Sequence, residues 1–235
     1  MQDHGFLILL FLPVDVEIKM EHKITALTLQ KRNRQRVNVY LDGEFAFGLA
    51  RILAAWMQVG QVLSDEKIAQ LKDSDECEVA YQRAIQFLNY RPRTENEIRK
   101  NLQKHSVSET VVEDVIQRLK RAGLLDDKRF ADAWVENRVD LHPRSRRALA
   151  YELKQRGVDQ QLIQQSLVQV DDEQAAYQAA IRQSRKLHGL DWQDFRKKLY
   201  GYLARRGFDY ETSAPVVKRV WNEINNSPNP MNEEV

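Results

Sequence analysis

The tetrapeptide Arg91-Pro92-Arg93-Thr94 returns 51 residues later as His142-Pro143-Arg144-Ser145, and the residues that follow each copy match in kind. The matching apolar pairs are Ile98 with Leu149, Leu102 with Leu153, Val107 with Val158, Val112 with Ile163, and Ile116 with Leu167. A period of this length indicates stacked supersecondary units. Such an array typically presents a binding surface and has no catalytic cleft.

A third, less regular copy follows at a spacing of 50, where Gly207 and Phe208 match Gly157 and Val158. Its opening helix is marked too, because residues 80–85 (AYQRAI) reappear as 176–181 (AYQAAI). Proline and glycine stops, together with capping residues, predict three helices in each copy. The sequence therefore predicts a mainly α protein of tandem three-helix repeats in an elongated array, at residues 76–126, 127–170 and 171–224.

Residues 20–75 show a different pattern, which predicts a small β-meander followed by short helices. Residues 24–29 are rich in β-branched and aliphatic side chains, and apolar residues alternate with polar ones over 37–41. Asp42-Gly43 is a strong hairpin signal, with 44–47 as the return strand. We predict short helices over 49–57 and from Ser64 to about residue 71, and a break at 73–75.

Both ends of the chain are expected to lie outside the fold. Residues 6–14 are almost wholly apolar, but the stretch is far shorter than the roughly 20 residues that span a bilayer. It also lacks the basic leading region of a secretory signal. We therefore expect residues 1–19 to be a start-site extension, in preference to a membrane or export role. Residues 225–235, rich in Asn, Pro and Glu, are predicted to be disordered.

The composition narrows the function classes. The 36 Lys and Arg residues nearly balance 34 Asp and Glu residues, so only a local basic surface could attract a polyanion. Cys77 is the only cysteine, which excludes intramolecular disulfides and multi-cysteine zinc sites. A reducing cytoplasm is the natural location.

Motifs for catalysis are missing from the sequence. It contains neither G-x-x-x-x-G-K-[ST] nor G-x-G-x-x-G, the glycine-rich loops that bind nucleotide phosphates. The five histidines are scattered without metal-ligand spacing. Asp126-Asp127 and Asp171-Asp172 could in principle hold Mg²⁺, but both pairs stand where a helix begins, which favours a capping role. We expect no metal, no cofactor and no enzymatic activity.

Basic residues recur at matched places around the second helix of each repeat, and they could line one side of the array as a stripe that binds a partner. The candidate partner-binding residues are Arg91, Arg93, Arg99, Lys100, Arg144, Arg146, Arg147, Lys154, Arg156, Lys197, Lys198, Arg205 and Arg206. The alternative is that these side chains solvate the outer face and pair with Glu95, Glu97 or Glu152. A basic loop at 31–36 is a second candidate, and an exposed, soluble turn is its alternative.

Four longer motifs resemble the RecX family, the bacterial regulators of the RecA recombinase. They are 39–45 (VYLDGEF), 88–94 (LNYRPRT), 119–127 (LKRAGLLDD) with Phe130-Ala131, and 153–158 (LKQRGV). The likeness extends from about residue 24 to residue 224. It implies an elongated array of three-helix repeats that lies in the groove of a RecA filament on DNA and lowers its ATPase and strand-exchange activities.

The family is not known for catalysis or for a cofactor, and the expected protein is a monomer that modulates recombination and DNA repair. Two further hypotheses stay open. A three-helix unit with a basic helix can resemble a helix-turn-helix module, so the chain could bind DNA directly. A Mg²⁺-dependent nuclease that uses Asp126 and Asp127 is kept as a control.

Overall fold

A small antiparallel sheet is followed by three-helix repeats, which make up most of the chain. This computed structural model describes residues 21–226, so the predictions for residues 1–19 and for most of the tail lie outside the described residues. The mainly α fold class is confirmed. The chain divides into two compact units, Met1–Val79 and Ala80–Val235, here called the first and second units.

The first unit contains a four-stranded antiparallel sheet in the order β3-β2-β1-β4. Its strands are β1 (Glu21–Leu29), β2 (Arg36–Leu41), β3 (Glu44–Ala50) and β4 (Val62–Ser64). The hairpin between β2 and β3 is confirmed, because Asp42 and Gly43 both have positive φ, 52° and 95°, as a tight turn of that hand requires. Alternate residues such as Val37, Val39 and Leu41 point into the buried core.

The helices of the first unit differ from the prediction. α1 (Arg51–Ala54) is shorter than the predicted helix at 49–57, because residues 49 and 50 complete β3 instead. β4 was not predicted, since three residues carry no readable alternation. α2 (Asp65–Tyr90) is continuous, so the predicted break at 73–75 is wrong.

Tertiary contacts explain why this polar run stays helical. The Ser74 hydroxyl donates to the Gln70 carbonyl at 2.7 Å within the same helix. The Asp75 carboxylate accepts the Ala50 N–H at 2.6 Å and forms an ion pair with Arg36 at 2.7 Å between Oδ2 and Nη2. Asp75 therefore fastens α2 to the sheet rather than ending the helix.

His22 on β1 predicts a pH dependence for the first unit. Its Nδ1 lies 2.9 Å from Asp42 Oδ2 and its Nε2 lies 3.2 Å from Asp65 Oδ1, and these carboxylates raise the pKa of His22, Asp42 most strongly. A raised pKa stabilises the fold below the unfolded-state value of about 6.5, and this contribution is lost as the pH rises through the folded-state value. We expect the thermal stability of the first unit to fall as the pH rises above about 6.5.

Replacing His22 with alanine should flatten that dependence, as followed by thermal unfolding with a probe in the first unit. His188→Gln, in the second unit, is the matched control and should leave the dependence unchanged. An unaltered pH profile in His22→Ala would contradict this role for the imidazole.

The three repeats fill the second unit. After the end of α2, the first contains α3 (Glu95–Gln103) and α4 (Glu109–Arg121). The second contains α5 (Asp127–Leu141), α6 (Arg146–Gln155) and α7 (Gln160–Leu167). The third contains α8 (Asp172–Ser184), α9 (Trp192–Arg205) and α10 (Tyr210–Asn226). α10 continues through residues 225 and 226, which we predicted to begin the disordered tail.

Capping residues start these helices as predicted. Thr94 and Glu97 form a full capping box on α3, and the Ser145 hydroxyl accepts the Ala148 N–H at the start of α6. The capping interpretation of the acidic pairs is confirmed, since Asp126 accepts from the Arg129 N–H and Asp171 from the N–H groups of residues 173 and 174. Among residues 21–226 no group of three or more His, Cys, Asp or Glu could hold a metal ion.

The apolar positions that repeat in the sequence form the cores. Ile98, Leu102, Leu149, Leu153, Leu199 and Leu203 are all fully buried. Repeats 2 and 3 have separate apolar clusters, and the helix pairs in most extensive contact belong to one repeat. Hydrogen bonds connect one repeat to the next.

Candidate partner-binding surface

The second helices of the three repeats meet end to end. At the first junction, the Thr94 hydroxyl that caps α3 donates to the carbonyl of Arg156, the C-cap of α6, at 2.6 Å. At the second junction, the Ser145 N–H that caps α6 donates to the carbonyl of Arg206, the C-cap of α9, at 3.1 Å. The N-terminal end of one second helix thus rests on the C-terminal end of the next.

An aspartate from the following repeat completes each junction. The Asp127 carboxylate accepts the Glu95 N–H at 2.8 Å, and the Asp172 carboxylate accepts the Arg146 N–H at 2.7 Å. In both cases the aspartate is the first residue of the next repeat and the donor is the first residue of the second helix. Consecutive repeats are therefore related by the same local geometry.

Glycine is required where the helix ends approach. Gly157 and Gly207 have φ of 80° and 91°, values that residues with a Cβ rarely adopt. A Cβ on Gly157 would lie 2.4 Å from Asn96 Cβ, and one on Gly207 would lie 2.7 Å from Ala148 Cβ. The recurrence of glycine at these two matched positions thus follows from the close approach of the helix ends.

Five of the predicted basic residues form ion pairs with carboxylates of the second unit. Arg91, Arg93 and Arg156 share Glu97, with nitrogen–oxygen distances of 2.7, 3.9 and 3.1 Å. Arg144 pairs with Glu152 at 3.1 Å. Arg99 contacts Glu113 at 2.6 Å and Glu95 at 2.9 Å, and the hydrogen bonds that its guanidinium donates to these two carboxylates raise its pKa.

Two more of the predicted residues stabilise the second junction. The Arg206 guanidinium donates to the Pro143 carbonyl at 3.0 Å, and the Arg147 guanidinium donates to the Gly207 carbonyl at 3.3 Å. Arg206 also lies over the ring of Tyr202, 4.5 Å from its centroid. These two arginines connect repeats 2 and 3. They therefore have a structural role whether or not they also contact a partner.

The remaining six predicted residues are exposed, and their side chains have no hydrogen-bond or ion-pair partner among residues 21–226. They are Lys100, Arg146, Lys154, Lys197, Lys198 and Arg205. They lie on α3, α6 and α9, the three helices that meet end to end. Binding of a partner by the predicted residues stays a prediction. Among the predicted residues, these six are the cations that are not already paired with another described residue and could form ion pairs with a partner.

A groove of about 460 Å³ lies beside the first junction. It is lined by Asn96, Glu97, Lys100, Trp134, Arg138, Tyr151, Glu152, Gln155 and Arg156, and is here called the basic groove. Arg138 and Arg156 lie against the indole of Trp134, with guanidinium carbons 4.3 and 4.0 Å from the ring centroid. The indole N–H donates to Glu152 at 2.8 Å, so the residues of the groove wall hold one another in place.

The electrostatics of the first junction centre on Glu97. Burial by itself would raise the pKa of Glu97, but hydrogen bonds from Arg91 and the Thr94 N–H, with the charge of Arg156, lower it below the ordinary value. Burial lowers the pKa of Arg93, which packs over Phe87. Glu97 is thus ionised and shared by three arginines.

A larger cleft of about 820 Å³ also involves repeats 1 and 2 and includes residues 95, 99, 120 and 126–129. Two of its lysines already form ion pairs, because Lys120 contacts Glu95 at 2.6 Å and Lys128 contacts Asp132. Burial raises the pKa of Asp127, whose carboxylate caps α3. Asp127 therefore joins repeats 1 and 2, whereas the two lysines are each paired within one repeat.

The prediction from sequence missed Trp134, Arg138 and Tyr151. Arg138 and Trp134 lie on α5, away from the second helices on which the prediction concentrated. Tyr151 occupies the position equivalent to Lys100, 51 residues earlier, so the repeat itself could have indicated it. The basic loop at 31–36 lies in the first unit, and Arg36 there is committed to Asp75.

Fold and surface together define a class: a protein in which a small β-sheet is followed in sequence by tandem three-helix repeats, with exposed cations along the second helices. Among the described residues, no helix combines the length and apolar character needed to cross a membrane.

Comparison with known proteins identifies the family. Four family models match: the regulatory protein RecX N-terminal domain at residues 22–64, and the first, second and third three-helix domains of RecX at 80–119, 126–167 and 171–217. The chain belongs to the RecX family of regulatory proteins.

Individual relatives agree. The regulatory protein RecX of Clostridium botulinum (strain Eklund 17B / Type B) is 30% identical over 207 residues, which cover 85% of this chain and 97% of the relative. That of Bacillus velezensis is 31% identical over 195 residues, or 80% and 73% of the two chains. A crystal structure of regulatory protein RecX superposes with a TM-score of 0.66 at 25% identity, covering 84% and 99%. RecX from Lactobacillus salivarius, at 18% identity and a TM-score of 0.55 over 63% and 97%, shares the fold.

Proposed function

We propose that this chain is a non-enzymatic regulator that binds the RecA recombinase filament on DNA in the cytoplasm. Bound there, it inhibits ATP hydrolysis and strand exchange and so modulates recombination and DNA repair. It acts as a monomer and needs no cofactor. Membership of the RecX family supports the proposal. The exposed cations on the second helices also support it, because they can form ion pairs with a partner.

One observation carries the proposal: at both junctions the first residues of one second helix contact the C-cap carbonyl of the next, and an aspartate of the following repeat accepts the first N–H of the helix. Equivalent residues of consecutive repeats therefore recur in a fixed register. A filament also presents its subunits in a fixed register, so several weak contacts can form at once and raise the affinity through effective concentration. The exposed, unpaired cations on α3, α6 and α9 are the side chains available for these contacts.

Charge reversal on α9 tests the proposal. Lys197→Glu/Lys198→Glu changes two exposed cations that have no partner among residues 21–226, so folding should be unaffected. Two like charges about 4 Å apart repel by about 1 kcal/mol in water, a cost partly screened by salt. We expect the concentration that half-inhibits the DNA-dependent ATPase of RecA to rise roughly tenfold.

The matched control is Arg121→Glu/Lys218→Glu, which makes the same charge change at exposed, unpaired positions on α4 and α10. It should inhibit as the unchanged chain does, and circular dichroism should show equal helicity in both variants. Equal inhibition by all three chains would reject the α9 cations as contacts. No inhibition by the unchanged chain would reject the proposed function.

The second candidate is direct DNA binding, which the six unpaired cations favour. Without recombinase, its affinity for single-stranded DNA should fall steeply with salt, with a logarithmic slope of about −0.7 for each phosphate contacted. Weak binding of this kind is compatible with filament regulation. If the degree of inhibition correlates with DNA affinity across the variants, and the chain does not bind the recombinase itself, DNA binding is the mechanism of inhibition.

A further inference from the structure

Positive charge exceeds negative charge around the basic groove, where three cations and two carboxylates form the lining and further arginines contact those carboxylates. Glu97 is contacted by Arg91, Arg93 and Arg156, and Glu152 by Arg138 and Arg144. Lys100 lines the same groove and has no partner among residues 21–226. Six cations therefore surround two carboxylates, and the local field favours an anion.

The groups that remain free in the groove are hydrogen-bond donors. The ammonium of Lys100, the hydroxyl of Tyr151 and the amide of Gln155 line it without a partner in the described part of the chain. The two acidic side chains, in contrast, are fully engaged with arginines. A ligand that satisfies this groove must therefore bring acceptors and negative charge.

The walls are rigid and partly aromatic. Arg138, Trp134 and Arg156 are stacked and linked through Glu152 and Glu97, so they lose little conformational entropy when a ligand arrives. Tyr151 is 64% exposed and offers an apolar ring at the same place. Tyrosine, tryptophan and arginine are the residues that dominate protein–protein contacts.

We propose that the basic groove binds an acidic peptide segment of the protein partner, with a carboxylate at Lys100 and apolar contact with Tyr151. This inference rests on the proposed function, because it names the chemistry of one contact with that partner. A peptide is favoured over nucleic acid because the groove, at about 460 Å³, accommodates a few side chains. A phosphate backbone needs a row of free cations, whereas here five of the six already hold carboxylates.

The test uses the full chain and a fluorescein-labelled hexaglutamate peptide, with fluorescence anisotropy as the readout. We expect the peptide to bind to the unchanged chain. Lys100→Ala/Tyr151→Ala should raise the dissociation constant roughly tenfold, because the two lost contacts together supply about one factor of ten in affinity. The matched control, Lys218→Ala/Tyr210→Ala, removes an exposed lysine and an exposed tyrosine from repeat 3. It should bind the peptide as the unchanged chain does.

A labelled hexathymidylate is the second probe. The inference is overturned if the peptide does not bind, if both double variants bind it equally well, or if the oligonucleotide binds as tightly as the peptide with the same dependence on Lys100 and Tyr151. Inhibition of RecA is measured in parallel. If the chain inhibits RecA but does not bind the peptide, only the assignment of the groove is refuted. If it binds the peptide but does not inhibit RecA, only the proposed function is refuted.

Discussion

Gly207→Ala is expected to lower the free energy of unfolding of the second unit by about 2–5 kcal/mol. At a φ of 91°, the left-handed side of the backbone map, alanine costs about 1–2 kcal/mol by itself. The new Cβ would also lie 2.5 Å from Ser145 Oγ and 2.7 Å from Ala148 Cβ. Because alanine has no rotamer to change, the start of α6 must move away from α9, which adds a cost of about 1–3 kcal/mol.

Gly189→Ala separates the two costs. Gly189 is in the same unit and has a φ of 78°, but a Cβ there would meet no atom within 4 Å. It should lose only the backbone part, about 1–2 kcal/mol. Urea unfolding followed by circular dichroism measures both variants. An equal loss in the two would show that the close approach of the helix ends contributes nothing.

Glu97→Ala is expected to lower the free energy of unfolding of the second unit by about 2–4 kcal/mol. The substitution removes half of the α3 capping box and leaves the arginines at 91, 93 and 156 without their shared carboxylate. The Glu97 side chain is only 19% exposed, so water replaces little of the lost interaction. The nearby Glu109, 63% exposed, gives the matched control Glu109→Ala, which should cost less than about 1 kcal/mol.

The same residue predicts a dependence on acid. Since the folded-state pKa of Glu97 is lowered, its stabilising contribution is present above the unfolded-state value of about 4.3 and is lost as the pH falls through the folded-state value. Urea unfolding of the unchanged chain between pH 5 and pH 3 should show this loss. Glu97→Gln, which keeps a side-chain acceptor for the Thr94 N–H, should show a smaller loss over the same interval. An equal loss of stability in both chains would show that the titration of Glu97 does not cause the acid dependence.

The repeats, the caps and the hairpin could be predicted because each depends on residues close together in sequence. The break at 73–75 was predicted wrongly, since the carboxylate of Asp75 is satisfied by β2 and β3 rather than by a helix start. Nothing local to α2 signals that contact. β4 was missed because its pairing with β1 is what defines so short a strand.

The candidate surface could be predicted only in part, because residue type does not reveal pairing. Arg156 and Lys154 look alike in the sequence, yet Arg156 reaches Glu97, 59 residues away, while Lys154 stays free. At the second junction Ala148 stands where Glu97 stands at the first, so Arg206 binds a carbonyl instead. The partner of each arginine is decided by packing between repeats.

The end-to-end meeting of α3, α6 and α9 also has an electrical consequence. Every α-helix carries a macrodipole, equivalent to about half a positive charge at its beginning and half a negative charge at its finish. Where α3 rests on α6, and α6 on α9, opposite poles coincide and offset each other. Two poles remain: the positive one at the start of α9, where the Asp191 carboxylate caps the helix, and the negative one at Lys104, the C-cap of α3, where a residue of positive charge is the type that this pole favours.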